Sequence, residues 1–204
     1  MERDSPDFNE EQAKKSKRRR KKESTPRRAW LKKTIGGVLA LIGGAAYLRF
    51  ESNWLETTKK TVALPHFPKN QKIRILHLSD LHLSKTVSIQ DIDLALQKGI
   101  EKKPDLMMIT GDFITDELHP ENSRKLAYCL RKPTRQVRTF ACLGNHDGGV
   151  WMKKRGGYES PDRVRAMLQS ANVKLLENSS QKIPLPGQTL VLSGVGDYWS
   201  EACQ

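Results

Sequence analysis

From Ile73 onwards, short apolar runs alternate with stretches in which apolar residues recur every three or four positions. Ile73-Arg-Ile-Leu-His-Leu78 reads as a strand. Ile89, Ile92, Leu96 and Ile100 then fall at helical spacing up to Lys103, behind Ser88 and Asp91, whose three-residue separation is that of a capping box. Pro104 stops this helix, and Leu106-Met-Met-Ile-Thr110 reads as a buried strand. A helix over 121–131 and a strand over 137–143 follow. Ser160 and Pro161 open a further helix with Val164, Met167, Leu168 and Ala171 on one face. A strand over 173–177 and a hairpin pivoting on Pro186-Gly187 complete the pattern. Strand and helix alternate, so the pattern predicts an α/β fold with parallel strands. No internal repeat interrupts it.

The first third of the chain reads differently. Residues 1–23 are polar and include the run Lys14-Lys15-Ser16-Lys17-Arg18-Arg19-Arg20-Lys21-Lys22, with too little apolar surface to offset chain entropy, so a disordered basic arm is expected over 1–33. Thr34 to Leu48 is an uncharged, Gly-rich, mildly apolar run behind Arg27, Arg28, Lys32 and Lys33, and the span 34–50 is expected to anchor or target the chain. Fifteen helical residues at ~1.5 Å each reach roughly 22 Å, short of the ~30 Å hydrocarbon core, although Phe50 and Trp54 extend the run. Four readings stay open: an uncleaved anchor, a cleaved export signal, an interfacial helix and a buried globular helix. Arg27-Arg28 followed by Trp30, Leu31 and Lys32 resembles a twin-arginine signal. A linker rich in Thr, Lys and Pro over 51–72 leads into the domain over 73–204.

Charge sharpens this division. The 204 residues carry a net +13, of which +7 lies in residues 1–33. A basic run next to an apolar segment suits an anionic membrane surface, and nucleic acid is not the expected partner. Cys129, Cys142 and Cys203 show neither zinc spacing nor the even count of a disulfide framework.

Three polar clusters fall at the carboxyl ends of successive expected strands, where open α/β sheets hold their ligands: Asp80-Leu81-His82, Gly111-Asp112 and Gly144-Asn145-His146-Asp147. Each alone is ordinary turn chemistry. Together they offer carboxylate, imidazole and amide donors suited to divalent Mn, Fe or Zn. A carboxylate shared by two ions holds them ~3.5–4 Å apart for attack on a phosphoryl group, and Asp112 is the candidate bridge. His66 and His77 read as structural, and His119 as a loop residue before Pro120.

His77-Leu-Ser-Asp80-Leu-His82, Gly111-Asp112 and Gly144-Asn-His-Asp147 resemble, in order, the first three signature blocks of calcineurin-like metallophosphoesterases. The resemblance implies a two-sheet β-sandwich flanked by helices and two divalent ions, Mn²⁺ before Fe or Zn. It implies Asp80, His82 and Asp112 at the first ion, Asp112 and Asn145 at the second, His146 at the scissile phosphate or leaving group, and Asp147 orienting His146. The anchor-like segment narrows the resemblance to a membrane-associated bacterial branch that includes exported phosphodiesterases and UDP-2,3-diacylglucosamine pyrophosphatases of lipid A synthesis. Residues 143–158 are more similar to the latter. The implied setting is the bacterial inner membrane with the N-terminus cytoplasmic, and the implied partners are the lipid surface and a phosphorylated, lipid-linked nucleotide. The family supplies three further histidines from its C-terminal half, whereas no histidine follows His146 here. A truncated domain is therefore expected, with metal ligands missing and an apolar sheet face uncovered.

Overall fold

The computed structural model describes residues 26–52, 54–65, 67–68, 70–116, 118–185 and 187–204. The basic arm over 1–25, His66 and Pro186 of the hairpin turn lie outside them. The chain divides after Glu56 into two units.

In the first unit, helix α1 spans Pro26–Ser52. The helix runs beyond the segment 34–50 at both ends and takes in residues 26–33. Pro26 has no N–H to lose at the first helical position, and Arg, Ala, Trp, Leu and Lys then continue the helix without a breaker. Twenty-seven residues at ~1.5 Å each give roughly 40 Å, more than the ~30 Å apolar core of a bilayer. The stretch Arg27–Glu51 is long and apolar enough to cross a membrane, and none of it is buried.

The second unit carries a four-stranded parallel sheet in the order β1-β2-β3-β4, formed by β1 Ile75–Ser79, β2 Leu106–Thr110, β3 Arg138–Cys142 and β4 Lys174–Leu175. Ile75 is level with Leu106, and Leu106 with Arg138, so the first three strands end together at Ser79, Thr110 and Cys142. The helices between them are α2 Ile89–Ile100, α3 Pro120–Thr134 and, beyond the short α4 Val150–Lys153, α5 Asp162–Ser170. Ser88 caps α2 with the reciprocal Ser88–Asp91 bonds expected of a capping box. Helix α3 runs past the expected end at Arg131 and includes Pro133. Strand β4 is only two residues long instead of the five expected, although the Leu176 amide still reaches the Ala141 carbonyl at 2.8 Å.

Alternation along the strands sorts the two faces. Met107, Ile109 and Ala141 face Ile92, Leu96, Leu126, Leu130, Val164 and Leu168 of the helices in the main core. Leu106 and Phe140 point the other way, against a hairpin of β5 Ser179–Leu185 and β6 Gln188–Gly194, through Leu176 and Ile183 with Leu190 and Leu192 alongside. The two expected sheets are therefore present, the second as a two-stranded ribbon. The hairpin covers β2 and β3, so the uncovered face is narrower than expected and lies along β1, where Ile75 is 43% exposed.

Candidate metal centre

Beyond the carboxyl ends of β1 and β2 the chain makes sharp turns. Asp80, His82 and Asp112 all adopt positive φ, at 54°, 43° and 51°, as does Gly111 at 71°. Left-handed backbone at three non-glycine residues costs free energy and persists only where surrounding contacts enforce it, as at functional sites. The enforcing contacts are visible. The amides of Asp80 and His82 bond the carbonyls of Gly111 and Asp112, and the parallel ladder then resumes with Leu83 bonded to the Phe113 carbonyl. The intervening Leu81, Leu83, Phe113 and Ile114 are buried, which anchors both loops in the core. Asp80 and His82 are two residues apart and both project to the strand tips.

The third strand closes against the second at two glycines. A Cβ on Gly144 would lie 2.2 Å from Asp112 Oδ1, and one on Gly111 would lie 2.7 Å from Gly144 Cα. Next comes a single 3₁₀ turn, Asn145–Asp147. The His146 amide donates to Asp112 Oδ1 at 2.9 Å, so the bridge candidate is tied directly to the third cluster.

The side chains converge. Ligand atoms of His82, Asp112 and His146 all lie within 4.8 Å of one another. His82 Nε2 stands 3.7 Å from both Asp80 Oδ1 and Asp112 Oδ2. These separations are too long for hydrogen bonds. They suit donors sharing a cation, since two ligands each ~2.1 Å from one ion stand roughly 3–4 Å apart. Ser79 Oγ donates to the other oxygen of Asp80. Asn145 opens the 3₁₀ turn and is half-buried.

Thr115, which sequence reasoning passed over, organises both imidazoles. Its carbonyl can only accept, so the 2.8 Å contact puts a proton on His146 Nδ1 and leaves Nε2 as the working nitrogen. Its hydroxyl sits 3.3 Å from His82 Nδ1 and donates to the His82 carbonyl, with the same effect on that ring. A carbonyl or hydroxyl behind the far nitrogen is how metal-binding histidines are usually held. No local motif marks Thr115. The only available hint was that it follows Phe113-Ile114, apolar residues that must turn inward straight after the Gly111-Asp112 turn.

Asp147 corrects an expectation. It does not orient the His146 ring. Its carboxylate is completely buried and accepts from the amides of Phe113 at 2.8 Å and Gly144 at 2.9 Å, clamping the β2 and β3 loops together. Burial pushes its pKa up to about 7 against the pull of those amides, and the nearby Asp112 charge adds to the rise. His77, read as structural, bonds Thr110 Oγ1 at 2.7 Å on the exposed face of β1, and His119 immediately precedes α3.

Residues 73–201 match the family model of the calcineurin-like phosphoesterases. The chain belongs to that family. It is 32% identical over 180 residues to Phosphodiesterase YaeI of Escherichia coli, covering 87% of this chain and 63% of that protein. It is 33% identical over 105 residues to the UDP-2,3-diacylglucosamine pyrophosphatase LpxG of Chlamydia muridarum, covering 51% and 32%. A metallophosphoesterase YkuE of Bacillus subtilis is 32% identical over 129 residues, 60% of this chain and 45% of that protein. The chain thus spans less than two thirds of the length of these relatives. Proteins of this family use divalent metals, and the mixed nitrogen and oxygen donors of the cluster fit such ions.

Proposed function

We propose that this chain hydrolyses a phosphoester or phosphoanhydride bond at a membrane surface, using two divalent ions with Mn²⁺ preferred, and that UDP-2,3-diacylglucosamine is its substrate. The observation that supports this most is the convergence of His82, Asp112 and His146 at the strand tips. Asp80, His82 and Asp112 hold one ion, and Asp112 with Asn145 holds the other. Such ions supply Lewis acidity to phosphoryl oxygens and lower the pKa of bound water. The protein's own groups do the rest. Thr115 keeps a proton on His146 Nδ1, so a proton passed to the leaving oxygen comes from Nε2. Trp151, 4.6 Å from the His146 ring, limits the directions from which water reaches that nitrogen. The similarity to LpxG at about half of this chain supports the diphosphate-linked substrate.

One observation favours a second reading. Helix α1 carries Arg27, Arg28, Lys32 and Lys33 at its N-terminal end, which by the positive-inside rule leaves a domain after a spanning helix outside the cytoplasm. A nucleotide-linked lipid is expected on the cytoplasmic side, so an outward domain would act as an extracytoplasmic phosphodiesterase, in line with the similarity to YaeI. Incubating the Mn²⁺-supplied chain with UDP-2,3-diacylglucosamine and, separately, with bis(p-nitrophenyl) phosphate separates them. Release of UMP supports the first reading, and cleavage of the diester alone supports the second.

A further inference from the structure

Beside the metal cluster lies a cavity of about 250 Å³, walled by Thr115, Asp116, His146, Trp151, Met152 and Arg155. It shares Thr115 and His146 with the metal centre, so a substrate with its scissile phosphate at His146 has its neighbouring group here. The local chain explains the shape. Gly149, at φ 106°, turns the backbone into α4, and Gly156, at φ 80°, turns it out again. Trp151 and Arg155 are four residues apart and so fall on one side of that turn.

The guanidinium carbon of Arg155 lies 3.7 Å from the centre of the Trp151 ring, and its Nη1 donates to the Trp151 carbonyl at 3.3 Å. Among the described residues no carboxylate pairs with Arg155. With its carbon over an indole, a guanidinium keeps for a ligand the N–H donors not spent on the Trp151 carbonyl, and two of these match two phosphate oxygens at once. Stacking also removes rotamers that a free arginine would lose on binding, which favours capture of an anion. Arg155 lies on the Trp151 ring and His146 is tilted against it at 56°, so Trp151 aims the cation and leaves little ring surface for a nucleobase. The one carboxylate in the wall, Asp116, is exposed and repels an anion from its own side, which directs the anion toward Arg155.

We propose that Arg155 grips the non-scissile phosphate of a diphosphate-linked substrate, and that Trp151 positions it to do so. This rests on the hydrolase reading above and adds that the cavity discriminates a phosphate with a second phosphate attached from one without.

Binding, not turnover, tests it. The full chain, with and without Mn²⁺, is titrated calorimetrically with methylenediphosphonate and with methylphosphonate, for wild type, Arg155→Ala and Arg155→Lys. The ratio of diphosphonate to monophosphonate affinity is expected to fall at least tenfold in Arg155→Ala. Arg155→Lys, which keeps the charge but loses the planar fork, is expected to recover only part of that ratio. Thermal unfolding of each variant reports whether the exposed substitution has left the fold intact. An unchanged ratio in Arg155→Ala, or a wild type that binds both probes equally, overturns the subsite. Because no bond is cleaved, loss of hydrolysis leaves this readout standing, and the two claims fail separately.

Discussion

Thr115 and His146 are 31 residues apart in sequence, yet the carbonyl of one receives Nδ1–H of the other at 2.8 Å. The Thr115 hydroxyl serves His82 in the same way, so one residue fixes the working nitrogen of both imidazoles. Removing the hydroxyl isolates the His82 half of this role. Thr115→Val keeps the carbonyl and is expected to weaken Mn²⁺ binding roughly 10–100-fold, the usual cost of losing a partner behind a ligand. Thr115→Ser should restore it. Calorimetric Mn²⁺ titration of the three proteins decides, and equal affinities would reduce Thr115 to packing.

Gly144 is required by space and not by backbone conformation, since its φ is −110°. A methyl group there meets Asp112 Oδ1 and the Asp112 amide nitrogen, at 2.2 Å and 2.6 Å. Gly144→Ala should therefore displace Asp112, abolish stoichiometric metal binding and destabilise the fold by about 1–3 kcal/mol, as overpacking does. Urea unfolding beside metal analysis checks both parts. A variant that binds metal normally would show that the β2 and β3 loops have slack they do not display.

Asp147 holds two backbone amides with two carboxylate oxygens. Asn at this position offers only one acceptor, and its NH₂ faces a donor. Asp147→Asn is expected to cost about 1–3 kcal/mol of stability, the penalty for an unmatched buried polar group. Chemical denaturation in the presence of chelator measures this without interference from metal. A neutral substitution would mean that the carboxylate clamp contributes little.

The cysteines provide a pH test remote from the site. Burial pushes the Cys129 thiol up to about 12, with the adjacent Asp93 carboxylate adding to the rise. Since only the thiolate reacts, Cys129 should resist Ellman's reagent in the native state at pH 8 and gain little reactivity by pH 9.5. Cys203 is exposed and should react first. The same shift lowers stability above about pH 8.5, where an unfolded thiol ionises and the folded one does not. Thiol counting in native and denaturing buffer, with each cysteine replaced in turn, follows the order.

The order of strands and the polar clusters at their tips were legible because each rests on local chemistry: an apolar run, then a turn rich in Asp, Gly and His. The Ser88–Asp91 cap and the hairpin were legible for the same reason. What escaped depends on contacts between distant residues. Thr115 has no motif of its own, and the 34-residue separations that bring Asp112 to His146 and Phe113 to Asp147 do not appear in any window of sequence. Proximity in sequence misled at Asp147, which adjoins His146 along the chain but turns its carboxylate inward to the Phe113 and Gly144 amides. The full length of α1 was not legible from apolar content alone, because its first turns are the helix-forming basic flank from Pro26.

The central claim is that Asp112 and its neighbours hold the metal that performs hydrolysis. The most direct test is Mn²⁺-dependent cleavage of bis(p-nitrophenyl) phosphate by the 204-residue chain, beside Asp112→Ala, with metal content determined for both. Loss of bound metal and of activity together in Asp112→Ala is the predicted result. A wild-type chain with neither stoichiometric metal nor activity, or a variant that retains both, would contradict it.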